Sequence, residues 1–278
     1  MGDWITGWSA APAGGPDDTG GPRGSAGPLP ALVCVPPAGA GCGQFRAWRR
    51  PLAGIAEVYG VQLPAREDRW HEPMPDTFEE AVTAVTGALP ERLGPGRPFV
   101  LYGHSFGGLL AYEVARRTSP YALVVSSSRP PAGAREAGGR IVGRTLGDDE
   151  LDRLFDADDP DLDPARAAAL RDETLREHMR EMILRDARLS LTRVHRPLPL
   201  LHLPVHVWGA EGDTVVPPAA LEGWAEVTSG PPLHHRVPGG HHAVLRRPGP
   251  LLDRLAELLR DAAAAPTAPP TTAVHTGA

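Results

Sequence analysis

Short apolar runs alternate with helical patterns over most of the chain. The apolar runs are five or six residues long, and several are apolar nearly throughout, which is typical of parallel strands covered on both faces. Alternation of this kind predicts a doubly wound α/β sheet. The strand candidates are residues 31–35, 58–63, 99–103, 121–126, 205–209 and 233–237, and the helical patterns cover residues 43–56, 76–92, 106–118, 218–228 and 249–262.

One long segment interrupts the alternation. Residues 129–198 separate two strand candidates by 70 positions, far more than an ordinary connection. The segment is rich in Arg, Asp and Glu, and its apolar residues recur at helical spacings between Leu170 and Leu189. This pattern predicts a helical insertion that packs on the sheet and covers the ends of the strands as a lid.

The two ends of the chain lack any periodicity. Residues 1–28 are rich in Gly, Pro and Asp, and residues 263–278 are of low complexity. We expect a disordered N-terminal arm and a disordered C-terminal tail. Residues 29–262 then form a single domain that includes the lid.

Composition excludes several classes of protein. The net charge of −6 provides no basic field for nucleic acid, and no apolar run is long enough to span a membrane. Two cysteines are too few for a disulfide framework, so we expect a cytoplasmic protein. All 28 basic residues are Arg, and the chain contains no Asn. The absence of Lys excludes a Walker A loop and Schiff-base chemistry.

A G-x-S-x-G motif identifies the candidate nucleophile. Ser105 lies between Gly103 and Gly107, directly after a predicted strand and directly before a predicted helix. In that context the motif forms a sharp turn that projects the serine hydroxyl into a cleft. The sequence therefore predicts nucleophilic catalysis by Ser105.

The candidate base and acid follow from the chain order that accompanies this turn, which is Ser, acid, His. The segment Pro-Gly-Gly-His-His after the last strand supplies the base, and we favour His241 over His242. No carboxylate directly follows the strand at residues 121–126, whereas Asp213 follows the next strand, with Glu211 as the alternative. His195, His202, His206, His234 and His235 are predicted to be structural or surface residues.

Two backbone N–H groups are candidates for the oxyanion hole. One belongs to Phe106, directly after the nucleophile, and the other to Ala38, in the glycine-rich loop after the first strand. No motif indicates a metal or a nucleotide cofactor.

Five ordered segments carry a resemblance to a known family: residues 34–48, 61–73, 99–116, 208–213 and 238–245. Together they resemble the type II thioesterases of polyketide and nonribosomal peptide synthesis, which are discrete α/β-hydrolases. The resemblance covers about residues 29–262 and implies Ser105, Asp213 and His241 as the triad and the backbone of Ala38 and Phe106 as the oxyanion hole.

The resemblance also implies what the protein acts on. The substrate would be an acyl group on the phosphopantetheine arm of an acyl or peptidyl carrier protein, with no cofactor, and we expect a monomer. Such carriers are typically acidic, so docking would need a local basic patch. The candidate patches are Arg46, Arg49 and Arg50; Arg116 and Arg117; and Arg246 and Arg247.

This chain departs from the family pattern in loops that shape the acyl site, at Ala40, Ala65, His242 and Ala243 and around Leu184–Asp186. An esterase, acyltransferase or cyclising enzyme using the same triad remains the alternative function, because fold alone does not decide among them. A catalytically idle scaffold is a third reading, opposed by the ordered triad.

Overall fold

A computed structural model describes residues 3–8, 28–143, 146–159, 162, 164–196 and 198–265. These residues contain a sheet of seven strands in the spatial order 1-3-2-4-5-6-7. Strand 1 pairs antiparallel with strand 3, and every other pair is parallel. The strands are β1 (Ile5–Trp8), β2 (Ala31–Val35), β3 (Glu57–Val61), β4 (Phe99–His104), β5 (Ala122–Ser126), β6 (Val205–Ala210) and β7 (Leu233–Val237).

Helices connect the strands and cover both faces of the sheet. The α-helices are α1 (Phe78–Leu93), α2 (Phe106–Ala115), α3 (Pro131–Val142), α4 (Asp148–Phe155), α5 (Pro164–Ala169), α6 (Glu173–Leu191), α7 (Ala243–Arg246) and α8 (Gly249–Ala264). Three 3₁₀ segments span Cys42–Arg49, Glu67–Arg69 and Pro218–Val227.

The central strands are buried on both faces, as their apolar sequences predict. In β2, Val33 and Val35 belong to a core shared with α1 and α2, whereas Leu32 and Cys34 belong to a second core shared with α8. Successive side chains of a strand point to opposite faces, so one apolar strand contributes to both cores. The doubly wound α/β sheet is confirmed.

The insertion at residues 129–198 is helical, as predicted. It contains α3, α4, α5 and α6, and we call it the lid. Leu146, Leu151 and Ile183 form a small apolar core within the lid, while Leu189 near the end of α6 packs into the main core. The lid is therefore attached to the domain through α6.

The prediction of disorder over residues 1–28 is wrong for the first part of the chain. Residues Ile5–Trp8 form β1, which pairs with β3 at the edge of the sheet. A strand of only four residues, one of them Gly7, leaves no periodic signal, and its edge position demands no apolar run. At the other end, α8 continues to Ala264, two residues past the predicted boundary. The predicted disorder at residues 1–2, 9–27 and 266–278 lies outside the described residues.

Two further predicted elements change character. The helical pattern at residues 43–56 becomes the 3₁₀ segment Cys42–Arg49 followed by turns, and that at residues 218–228 becomes the 3₁₀ segment Pro218–Val227. Over the described residues, no helix is both long and apolar enough to cross a membrane.

Candidate active site

Ser105 occupies a strained turn between β4 and α2. Its backbone has φ 53° and ψ −119°, outside the regions that non-glycine residues favour. The Ser105 N–H donates to the Ser126 carbonyl (2.9 Å), which anchors the turn to the end of β5. The turn thus holds the serine at the carboxyl edge of the sheet.

The two glycines of the motif are required by close approach of backbone segments. A Cβ atom at Gly103 would lie 2.2 Å from the Gly107 carbonyl oxygen. A Cβ at Gly107 would lie 2.3 Å from the carbonyl oxygen of Val35, at the end of β2. Any side chain at either position would push the turn away from the sheet.

His241 links Ser105 to Asp213. His241 Nε2 lies 3.1 Å from Ser105 Oγ, and His241 Nδ1 lies 2.9 Å from Asp213 Oδ2. Because a carboxylate only accepts hydrogen bonds, Nδ1–H donates to Asp213, and Nε2 is left to accept from the serine hydroxyl. The other carboxylate oxygen of Asp213 accepts the N–H groups of Val215 (2.9 Å) and Val216 (2.8 Å).

A second histidine, His104, lies next to His241. The sequence alone did not identify it as part of the site. His104 is fully buried, its Nδ1 lies 2.7 Å from Ser126 Oγ, and that oxygen lies 2.7 Å from the Tyr102 hydroxyl. The His104 ring centroid is 5.3 Å from that of His241. Burial, followed by the neighbouring His242 and His241, lowers the pKa of His104 well below its ordinary value. His104 therefore stays neutral and brings no positive charge next to His241.

The proposed oxyanion loop follows β2. Ala38 and Phe106 line the same cavity as Ser105 and His241. Phe106 is the first residue of α2, where a backbone N–H has no acceptor within the helix. The structure thus places the two predicted donor residues in the lining of the same cavity as the nucleophile.

A buried ion pair from the lid fixes this loop. Asp186 of α6 binds Arg66 through two hydrogen bonds of 2.7 and 2.8 Å, and the same carboxylate accepts the Gly39 N–H (2.8 Å). Arg66 also donates to the Ala40 carbonyl (3.2 Å). The loop backbone is therefore held on both sides of Gly39. No motif in the sequence pairs Arg66 with Asp186, which lies 120 positions further along the chain.

The cavity above Ser105 has a volume of about 640 Å³. Its lining is largely apolar and combines α2 with the lid, which contributes residues from α3, α4 and α6. The apolar lining residues include Leu109, Ile141, Leu146, Leu154, Phe155 and Ile183.

The residues that the sequence offered as alternatives for the acid and the base differ in burial and contacts from the favoured ones. Glu211 is exposed, whereas Asp213 is buried and contacts His241. His242 packs against Phe155 and His104. His235 stacks on Trp208.

The candidate docking patches are only partly exposed. The Arg246 side chain is 8% exposed and pairs with Asp156 and Asp159 of the lid, so it is not free to meet a partner, whereas the Arg247 side chain is 43% exposed. The Arg116 side chain is 9% exposed and pairs with Glu113, whereas Arg117 is exposed. Arg46 and Arg50 are exposed.

Comparisons with known proteins agree with this geometry. Residues 30–262 match the family model described as the thioesterase domain. The chain is 31% identical to the thioesterase PikA5 of Streptomyces venezuelae over 76% of its own length and 74% of that protein. It is 33% identical to the AMB antimetabolite synthetase AmbE of Pseudomonas aeruginosa over 80% of its length, but it spans only 10% of that synthetase.

A solved structure of similar size extends the comparison to the fold. The type II thioesterase BorB from the borrelidin biosynthetic cluster superposes with a TM-score of 0.72 at 29% identity, over 93% of this chain and 98% of BorB. The resemblance to type II thioesterases and the α/β-hydrolase fold are thereby confirmed. The matched family model covers both the turn that carries Ser105 and the loop that carries His241, so the chain belongs to the thioesterase family.

Proposed function

We propose that this protein hydrolyses acyl thioesters carried on the phosphopantetheine arm of acyl or peptidyl carrier proteins, in polyketide or nonribosomal peptide biosynthesis. One observation carries the proposal: Ser105, His241 and Asp213 form an unbroken chain of hydrogen bonds beside an apolar cavity. The names of PikA5 and BorB, both thioesterases, support the substrate class.

The reaction would proceed through an acyl-enzyme. Ser105 Oγ attacks the thioester carbonyl while its proton passes to His241 Nε2, and Asp213 stabilises the resulting imidazolium. The N–H groups of Ala38 and Phe106 stabilise the oxyanion. When the carbon–sulfur bond breaks, the imidazolium returns the proton to the departing pantetheine sulfur.

Water completes the cycle. It attacks the carbonyl of the Ser105 ester while giving a proton to His241, and as the bond between the acyl carbon and Ser105 Oγ breaks, His241 passes that proton to Oγ and the acyl group leaves as a carboxylic acid. The pantetheine thiol stays on its carrier. These steps need no metal or cofactor of the enzyme's own, and we expect the enzyme to act as a monomer in the cytoplasm, where carrier-bound intermediates are made.

The apolar cavity suits an acyl chain. Apolar surface transferred from water into such a cavity contributes roughly 25 cal/mol per Å² to binding, while the charged pantetheine phosphate would remain outside. The lid forms much of the cavity wall, so its sequence would determine which acyl chains fit.

A panel of acyl-phosphopantetheinyl carrier proteins tests the proposal. We expect release of free acid from the carriers at a higher kcat/KM than from ordinary alkyl esters of the same acyl group. Ser105→Ala should lower turnover by about 10⁶-fold, and a serine-directed phosphonate should add once, at Ser105. Preferred cleavage of alkyl esters, or transfer of the acyl group to an amine or alcohol, would favour the alternative functions.

A further inference from the structure

A carboxylate of the lid touches the backbone of the loop that carries His241. Asp156 directly follows the last residue of α4 and has the left-handed backbone conformation, with φ 45°. Its Oδ1 accepts the His241 N–H at 2.6 Å, and its Oδ2 accepts the His242 N–H at 2.7 Å. Hydrogen bonds from N–H groups to a charged carboxylate are among the stronger ones in proteins.

The Asp156 carboxylate lies so close to Gly240 that a side chain at that position would have to displace it. A Cβ atom at Gly240 would lie 2.1 Å from Asp156 Oδ1. The glycine before the histidine therefore makes room for a lid carboxylate. The same position shows no positive φ, so conformational freedom is not the reason for glycine there.

A buried arginine also takes part in the contact between the lid and the loop that carries His241. Arg246 of α7 lies 3.6 Å from the Asp156 carboxylate and 2.8 Å from that of Asp159, and all three side chains are at most 10% exposed. Arg246 also donates to the carbonyl groups of Phe155 and Asp156. The charge of the two lid carboxylates is thus partly balanced from the side of the histidine loop.

We propose that Asp156 is a positioning residue for His241, so that the base is fully aligned only while this corner of the lid is in place. Asp213 fixes the imidazole through Nδ1, and Asp156 fixes the backbone from which that imidazole projects. If the lid moves away, both N–H groups lose their acceptor. The inference rests on the proposed function, because it assigns the alignment of the proposed base.

The first test is Asp156→Asn, with Asp158→Asn as the matched control. Asn keeps the shape but offers one acceptor oxygen instead of two. A displacement of a catalytic group by about 1 Å costs roughly 100-fold, so we expect kcat to fall roughly 10- to 100-fold with KM within about twofold. Asp158 is an exposed neighbour, and its variant should stay within about twofold of wild type.

The second test uses Gly240→Ala, whose methyl group would displace the Asp156 carboxylate while leaving the carboxylate in the protein. We expect a similar fall in kcat for Gly240→Ala alone. In an Asp156→Ala background the same change should cost less than about threefold, because the contact is already lost. Additive effects in this double-mutant cycle would overturn the proposal, since they would show that Gly240 acts independently of Asp156.

A spectroscopic readout separates positioning from general stability. The His241 Nδ1–H that donates to Asp213 should give a low-field proton resonance in wild type, and Asp156→Asn should shift or broaden it at temperatures where both proteins are fully folded. Phosphonate labelling of Ser105 separates the two proposals. Absence of labelling in wild type would contradict the proposed function, whereas equal labelling rates in wild type and Asp156→Asn would contradict only the positioning role.

Discussion

At the scale of single residues, Asp213 and Glu211 differ in burial although only one position separates them. The Asp213 carboxylate is buried, touches His241 and accepts two backbone N–H groups, whereas Glu211 is exposed. A buried acid of this kind holds the imidazole in the tautomer that can accept the serine proton.

We therefore expect Asp213→Ala to lower kcat on the order of 10⁴-fold in a folded protein. Glu211→Ala is the matched control, and its kcat should stay within about twofold of wild type. The measurement is steady-state hydrolysis of an acyl-pantetheine thioester. A larger loss for Glu211→Ala than for Asp213→Ala would contradict the assignment of the acid.

His206 of β6 makes stability depend on pH. It is 2% exposed, and its Nδ1 lies 3.0 Å from His235 Nε2. Burial, then His235 and Arg254, lowers the pKa of His206 from 6.5 to about 4. Between these two values the unfolded chain binds a proton that the folded protein does not, so the free energy of unfolding decreases as the pH falls.

At one pKa unit per 1.36 kcal/mol, His206 should cost about 2 kcal/mol of stability between pH 7.5 and pH 5. His206→Gln removes this titration and should show a correspondingly smaller loss over the same range, measured by urea unfolding at both pH values. His202→Gln, at an exposed position, is the control and should keep the wild-type dependence. Identical pH dependence for His206→Gln and wild type would contradict the prediction.

The residues that the sequence identified are those tied to strand ends. Ser105 directly follows β4, and Asp213 and His241 follow β6 and β7 by three and four residues, so alternation plus one motif locates them at one edge of a parallel sheet. Asp156 was not found, because it lies 85 residues before His241 in a stretch crowded with acids. Its role depends on how the lid packs, which no local pattern encodes.

At the scale of elements, the buried pair Arg66–Asp186 connects α6 to the proposed oxyanion loop. The two side chains are 5% and 0% exposed. Removing one partner of a buried pair leaves an uncompensated charge, which typically costs about 3–5 kcal/mol. We expect Asp186→Asn to lower the free energy of unfolding by that amount in a denaturant titration.

The matched control for Asp186→Asn lies on the same helix. Glu181 pairs with Arg185, and those side chains are 56% and 39% exposed. Surface pairs contribute roughly 0–1 kcal/mol, so Glu181→Gln should change the free energy of unfolding by less than about 1 kcal/mol. Equal effects at the two positions would mean that the Arg66–Asp186 pair contributes no more than a surface contact.

Elements were predicted best where apolar residues were continuous. The strand prediction at residues 31–35 matches β2, and those at residues 99–103 and 205–209 end one residue before β4 and β6 do, whereas β1 was missed because four residues at a sheet edge give no pattern. The burial of individual arginines could not be predicted from the sequence either. Arg246 looks like a surface residue by composition, yet it is buried among lid carboxylates.

At the scale of the whole molecule, the net charge of −6 opposes an acidic partner. Arg46 and Arg50 are exposed on and directly after the 3₁₀ segment that follows the oxyanion loop. Because charges beyond about 8 Å are screened at physiological salt, a local patch can attract a carrier protein although the molecule is acidic overall.

Reversing both charges, Arg46→Glu with Arg50→Glu, should raise KM for an acyl-carrier protein several-fold and leave a short acyl-pantetheine thioester unaffected. The difference should shrink as salt rises, since rim charges act mainly on encounter. Arg260→Glu, at an exposed position on α8, is the control and should change neither KM. Equal increases for both substrates would show that the patch serves the site rather than the carrier.

The lid is joined to the rest of the molecule by charged contacts on both sides of Ser105: Asp186 with Arg66 and the Gly39 N–H, and Asp156 with Arg246 and the histidine loop. In each of these contacts one residue belongs to the lid and its partners belong to the rest of the domain. If the lid were replaced by that of a related enzyme to change acyl preference, the new lid would supply only the lid residue of each contact. Gly240, Arg66 and Arg246 would then have to be matched to the incoming segment, so the unit that can be transplanted between such enzymes is larger than the lid itself.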